Sequence, residues 1–152
     1  MMRRLYMLLF SLLLFTFGCT SKEDPSPVLT IESEILQLVN EHRVSQGMTT
    51  VQSEPACQRE ARIHSENMAT GEVDFGHDGF ADRFDLLQSE IQAIKMGENV
   101  ALGQTTAEEV MEDWINSPGH KANIEGDFTH LGVGVFETNT GTKYFTQIFV
   151  KL

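Results

Sequence analysis

The chain is poor in the residues that would assign it to several easily recognised classes. Two Cys in 152 residues exclude a disulfide-stapled scaffold, and 12 Gly with 4 Pro exclude a collagen-like or linker-dominated chain. Basic residues are scarce. Eleven Lys and Arg stand against 22 Asp and Glu, net −11, which leaves no basic stripe for a phosphate backbone and excludes nucleic acid as a partner. No apolar run reaches the roughly 20 residues of a membrane-spanning helix. There are no internal repeats, no His-Glu-x-x-His helix, no Gly-x-Ser-x-Gly elbow and no Cys with a matched His motif. What is present is 41% apolar and 22% charged residues, enough for the core of one globular domain and too apolar for a disordered chain.

The first eighteen residues stand apart. Arg3 and Arg4 precede an apolar stretch from Leu5 to Phe17, followed by Gly18 and Cys19. A basic start and a short apolar core read as a signal peptide over residues 1–18. Gly18-Cys19 resembles the lipobox of bacterial lipoproteins, although Thr16 stands where that family prefers Leu. The resemblance implies cleavage before Cys19, a diacylglycerol on its sulfur, a tether over residues 19–27 and a domain over 28–152. A plain secretory signal with Cys19 incidental is the alternative. Removing residues 1–18, which hold two Arg and no acid, moves the net charge from −11 to −13, so the acyl anchor is the expected route to a membrane. Within the polar tether Thr20 to Ser26, the run Ser21-Lys22-Glu23-Asp24 is similar to the acidic export signals of surface lipoproteins. With Cys19 acylated, Cys57 has no partner. It shares one helix face with Ala61, His64 and Met68, which predicts a buried thiol.

Within the domain, Thr30 caps a helix carrying Ile31, Ile35, Leu38, Val39 and His42 on one side and stopping at Gly47. A second helix starts with Pro55 in its first turn and runs to about Thr70. Gly71 to Gly79 is a loop, Phe80 to Leu87 a short helix, and Ala93 to Leu102 extended or a loop. Thr106 and Glu109 form a capping-box pattern, opening a helix with Ala107, Val110, Met111, Trp114 and Ile115 on one face. Ser117-Pro118-Gly119 breaks or restarts it. Leu131, Val133 and Val135 then alternate with Gly132 and Gly134, predicting a strand with close backbone approach on its glycine side. After a turn at 138–141, Lys143 to Leu152 is a second strand. Helices followed by a terminal hairpin predict an α+β fold, a sandwich of helices around a small antiparallel sheet.

Polar residues gather where the apolar pattern breaks: Phe75 to Gly79 (FGHDG), Gly97 to Ala101 (GENVA), Glu112-Asp113-Trp114 with Ser117 to Ile124 (SPGHKANI), Gly132 to Val135 (GVGV) and Tyr144 to Phe149 (YFTQIF). In this order, together with His64 to Ala69 (HSENMA), they resemble the bacterial branch of the CAP superfamily, the cysteine-rich secretory, antigen 5 and pathogenesis-related proteins. The likeness extends from about Ile31 to Phe149. It implies an α-β-α sandwich with a cleft lined by two His and two Glu, which fall on His77, Glu98, Glu112 and His120. In some relatives the two His bind a divalent cation, Zn²⁺ or similar, and the Glu residues accept hydrogen bonds in the cleft. Neutral imidazole is a common ligand for such ions, with carboxylates orienting it or coordinating directly.

Each residue also has a plainer role open to it. His77 and Glu98 suit turn and capping hydrogen bonds, Glu112 a solvated helix flank, and His120 a solvated helix restart. His64 on an apolar face reads as a satisfied interior histidine. His42 reads as structural, and His130 as a strand-start residue rather than a third ligand. The resemblance implies an exported, lipid-anchored envelope protein whose cleft binds a divalent cation, a small molecule, a lipid or another envelope ligand without turnover. A metal-assisted hydrolase of peptide or cell-wall material, with Glu98 or Glu112 as general base, is the alternative. A third is an envelope protein that uses the four residues only to stabilise its fold.

Overall fold

The computed structural model describes residues 30–152; the signal-peptide segment, Cys19, the tether and the expected domain start at Val28 lie outside the described residues. Helix α1 (Ile31–Ser45) is capped by the Thr30 side chain, which accepts from the Ser33 backbone N–H. A two-residue strand β1 (Gln52–Ser53) leads into α2 (Pro55–Thr70), with Pro55 in the first turn and Gly71 closing the helix in the left-handed region. Then come α3 (Phe80–Ile91), β2 (Lys95–Leu102), α4 (Ala107–Asn116), α5 (Pro118–Ile124), β3 (His130–Glu137) and β4 (Lys143–Lys151). Thr106 and Glu109 form the expected capping box at the start of α4.

The four strands make one sheet in the order β1-β3-β4-β2. β3, β4 and β2 pair antiparallel, as expected of a small antiparallel sheet, but β1 pairs parallel to β3 and makes the sheet mixed. One further expectation is corrected: α3 runs on to Ile91 rather than stopping at Leu87. Of the two alternatives for Ala93 to Leu102, extended or loop, the extended one holds over Lys95–Leu102, an eight-residue edge strand, β2.

Strand alternation divides the core into two layers. On one face Leu131 and Val133 of β3 and Phe145 and Phe149 of β4 pack with Ile35 and Val39 of α1, Trp114 of α4 and Ile124 of α5. On the other, Ile148 and Val150 of β4 meet Ala56, Cys57 and Ala61 of α2 and Leu87 of α3. The glycine side of β3 lies against α2. A Cβ at Gly132 would come within 2.1 Å of the Gln58 nitrogen, and one at Gly134 within 2.2 Å of the Ala61 carbonyl carbon. These are backbone atoms that no rotamer change can move, so the helix sits this close only because both residues lack a side chain. Cys57 is fully buried in this layer, and burial, with Glu54 and Glu60 nearby, pushes its thiol up to about 12. It stays protonated and acts as a small apolar residue.

β2 forms one edge of the sheet, and its outward carbonyls are covered. The Trp114 indole donates to the Val100 carbonyl at 3.2 Å, and the Asn123 amide donates to the Glu98 carbonyl at 3.0 Å. An edge strand otherwise presents unpaired backbone groups to any passing strand. Here the α4 and α5 segments close that edge and form one wall of the site.

Candidate functional site

Consecutive residues of β2 face opposite layers, and this alternation organises the site. Glu98 points toward α2 and α3. Its side chain is only 1% exposed, and a carboxylate so buried needs its charge matched. Arg83, one turn into α3, donates Nε to Oε2 at 2.9 Å and Nη2 to Oε1 at 2.8 Å. The same guanidinium donates to the Asp78 carbonyl at 2.7 Å, tying down the loop that carries His77. That loop enters α3 through Gly79, whose φ of +74° suits glycine. His77 hydrogen-bonds Glu98 Oε1 through Nδ1 at 2.9 Å, and its side chain is half exposed. Against an ionised carboxylate, Nδ1 is the donor. That tautomer leaves Nε2 as a lone pair with no partner among the described residues.

His64 supports the loop from below. It is buried on α2, and its Nε2 lies 2.9 Å from the Gly76 carbonyl, the residue before His77. A carbonyl only accepts, so Nε2 carries the proton. Burial, outweighing that hydrogen bond, holds His64 below the ordinary imidazole value of 6.5. The interior-histidine reading is what the structure gives, and the residue does more than fill space.

Asn99, the next residue of β2, faces the other layer. Its amide donates to the His120 carbonyl at 3.1 Å and to Gln147 Oε1 at 3.0 Å, while its own oxygen accepts from Asn123 at 2.8 Å. This amide network fixes the start of α5 against the sheet. His120 is partly buried there. Burial first, and the neighbouring His77 second, lower its affinity for a proton.

The two imidazoles come from different layers and line one cleft of about 650 Å³ at the C-terminal half of β2. Its walls include Phe75, Val100, Leu102, Gln104, Asp113, Trp114 and Ser117. Glu98 stands behind His77, with both oxygens engaged, and does not line the cleft. Glu112 is elsewhere: it lines a separate hollow with Leu38, His42 and Met111, between α1 and α4. The carboxylate that faces the cleft is its neighbour Asp113, which accepts from the Gln104 amide at 2.7 Å. Adjacent helical positions point about 100° apart, and Asp113, one turn before Ser117, shares that residue's side of the helix. That spacing was the available signal. Arg83, Asn99, Asn123 and Gln104 were assigned no role from the sequence, because the partners that define their roles lie outside their own helical turn or strand.

The remaining histidines are outside the cleft. His42 bonds Glu125 at 2.9 Å, and His130 opens β3 with Nδ1 at 2.9 Å from Thr129 Oγ1. Among the described residues no group of three or more His, Cys, Asp and Glu side chains is placed to hold a metal ion. His77 and His120 line the same cleft, and a divalent cation there would draw at most two side-chain ligands from these residue types, with water or ligand atoms making up the rest.

The cysteine-rich secretory protein (CAP) family profile matches residues 36–149. The chain belongs to that family. A Bacillus subtilis relative, the uncharacterized protein YkwD, is 36% identical over 135 residues, covering 86% of this chain and 51% of its own length. The uncharacterized membrane protein YlbC of the same organism is 34% identical over 128 residues, covering 80% of this chain and 35% of its own. An extracellular protein containing an SCP domain from Bacillus anthracis superposes with a TM-score of 0.71 at 27% identity, over 80% of this chain and 40% of that one. The chain thus spans about half, or less, of the length of these relatives. The family's helices-and-sheet sandwich is the fold described above.

His64 makes stability depend on pH. Its folded-state proton affinity lies below the ordinary value, so its contribution is intact above pH 6.5 and is lost as pH falls below it. The expected outcome of urea unfolding between pH 7.5 and 5.5 is a fall in stability toward the acid end. The fall should be shallower in His64→Gln, with His120 accounting for part of the remainder. A wild-type profile that is flat or rises toward acid contradicts this.

Proposed function

We propose that this CAP-family chain is an exported, lipid-anchored binding module of a bacterial envelope. In this reading the cleft receives an electron-poor group between His77 and His120. That group is a divalent cation, or the donor group of a small molecule, lipid or envelope fragment. The observation that carries the proposal is the chain of contacts from Arg83 to Glu98 to His77 Nδ1. It spends the carboxylate on orientation and leaves an imidazole lone pair on a cleft that His120 also lines. Neutral imidazoles so oriented accept hydrogen bonds and coordinate cations. Zn²⁺ or a similar ion would supply a Lewis-acid centre there, held by His77 and His120 alone among the side chains.

A hydrolytic role needs a carboxylate free to take a proton from water inside the cleft. Glu98 is buried and saturated, and Glu112 faces another hollow, so the two residues expected to serve as base lack that access. Asp113 is the carboxylate that does face the cleft, with Oδ2 held by the Gln104 amide, so the preference for binding rests on the oriented imidazoles and not on the lack of a base. Export rests on the basic and apolar start of the sequence, and is in keeping with relatives described as extracellular or as membrane proteins.

Calorimetric titration of the chain with Zn²⁺ should give saturable binding that His77→Ala and His120→Ala each weaken roughly tenfold or more. Absence of binding in the wild type, or binding unchanged in the double variant, removes the two-imidazole site. For the anchor, mass spectrometry of the membrane fraction should find diacylglycerol on Cys19, and Cys19→Ser should release the protein from that fraction. An unmodified, soluble wild-type chain would leave export without an anchor.

A further inference from the structure

We propose that the cleft selects a positively charged organic ligand, a primary ammonium or guanidinium on a short apolar stem. This rests on the binding role of the cleft and names the chemistry of its ligand. Two of the polar side chains that face the cleft, His77 and Asp113, present free acceptors, and a third, Gln104, carries an unmatched one. His77 presents its Nε2 lone pair, because Nδ1 is committed to Glu98. Asp113 presents a carboxylate, still solvent-accessible and steered by the Gln104 amide. Gln104 gives one of its two amide N–H groups to that contact, and its carbonyl Oε1 is buried with no partner among the described residues.

A buried acceptor left unmatched costs free energy, and a ligand donor that reaches it recovers that cost. No Lys or Arg lines the cleft among the described residues, so no fixed positive charge there answers an anionic head group. The Arg83 guanidinium, which shares Glu98 with His77, is already neutralised by that carboxylate. A bare metal ion would satisfy the acceptors but leave the rest of the cleft unused. Phe75, half exposed, and Leu102 present apolar surface beside the polar groups, and the walls of Val100 and Trp114 continue it. Apolar wall next to an acceptor cluster matches a stem carrying a cationic head, and an aromatic rim adds attraction for such a head. The net charge of −11 over the chain raises the local concentration of cations around it.

Three probes that share one stem and differ only in the head group test this: benzylammonium, benzoate and benzyl alcohol. They are titrated into the full chain at pH 7.5 and fixed ionic strength while the amide signals of Gln104, Asp113 and His120 are followed by NMR. Benzylammonium should saturate these shifts with an affinity at least about tenfold above that of benzoate. Asp113→Asn should weaken benzylammonium by about tenfold, the worth of one charge-assisted hydrogen bond, and leave benzyl alcohol unchanged. Benzoate binding as well as benzylammonium, indifference to Asp113→Asn, or no shift with any probe overturns the cationic preference. Zn²⁺ titration of the same samples separates the two ideas. If Zn²⁺ still binds through His77 and His120 when benzylammonium does not, the cleft remains a binding site and only the ligand class is wrong.

Discussion

A buried carboxylate is the constraint on which the site turns. Glu98 has almost no contact with water, and an ion so placed costs several kcal/mol unless nearby donors replace its hydration. Arg83 supplies two hydrogen bonds and the opposite charge, and His77 supplies a third. The solution joins three separate stretches of chain: the loop after α2, the first turn of α3, and β2. It also sets which nitrogen of His77 carries the proton. Without that carboxylate, a half-exposed imidazole on a glycine-flanked loop would have no fixed direction.

The same strand holds the second imidazole by the opposite route. Side chains alternate across a strand, so Asn99 faces the layer that Glu98 does not. It grips the His120 carbonyl and, through Asn123, the body of α5. Two adjacent residues of one edge strand thus position two histidines that arrive from different layers. The Trp114 and Asn123 bonds to outward carbonyls keep that edge from pairing with another strand while leaving the cleft open.

How much of this could be read in the sequence depended on whether the stabilising partners were local. The Thr106–Glu109 box, the Pro55 start and the Gly132/Gly134 alternation are short-range patterns, and each led to the right element. β2 was obscured because its two faces carry polar side chains, Glu98 and Asn99, whose partners are distant; the usual apolar alternation is absent. β1 is too short to show any period, and it alone makes the sheet mixed. In the site, the family resemblance drew attention to His77, Glu98 and His120, and the fold brings these three to one place. It assigned the fourth position to Glu112, one residue from the carboxylate that faces the cleft. On a helix that single step is a turn of about 100°, enough to send Glu112 toward α1 and Asp113 toward Ser117. Arg83 carried no local signal, since nothing in its own helix reveals the buried charge that it matches.

Glu98 imposes a single tautomer on His77, and long-range ¹H–¹⁵N NMR of the imidazoles at pH 8 reads it directly. His77 should be protonated at Nδ1 with a bare Nε2, and Glu98→Ala should return it to a mixture of both tautomers. A wild-type His77 protonated at Nε2, or a tautomer unmoved by loss of Glu98, would contradict that assignment.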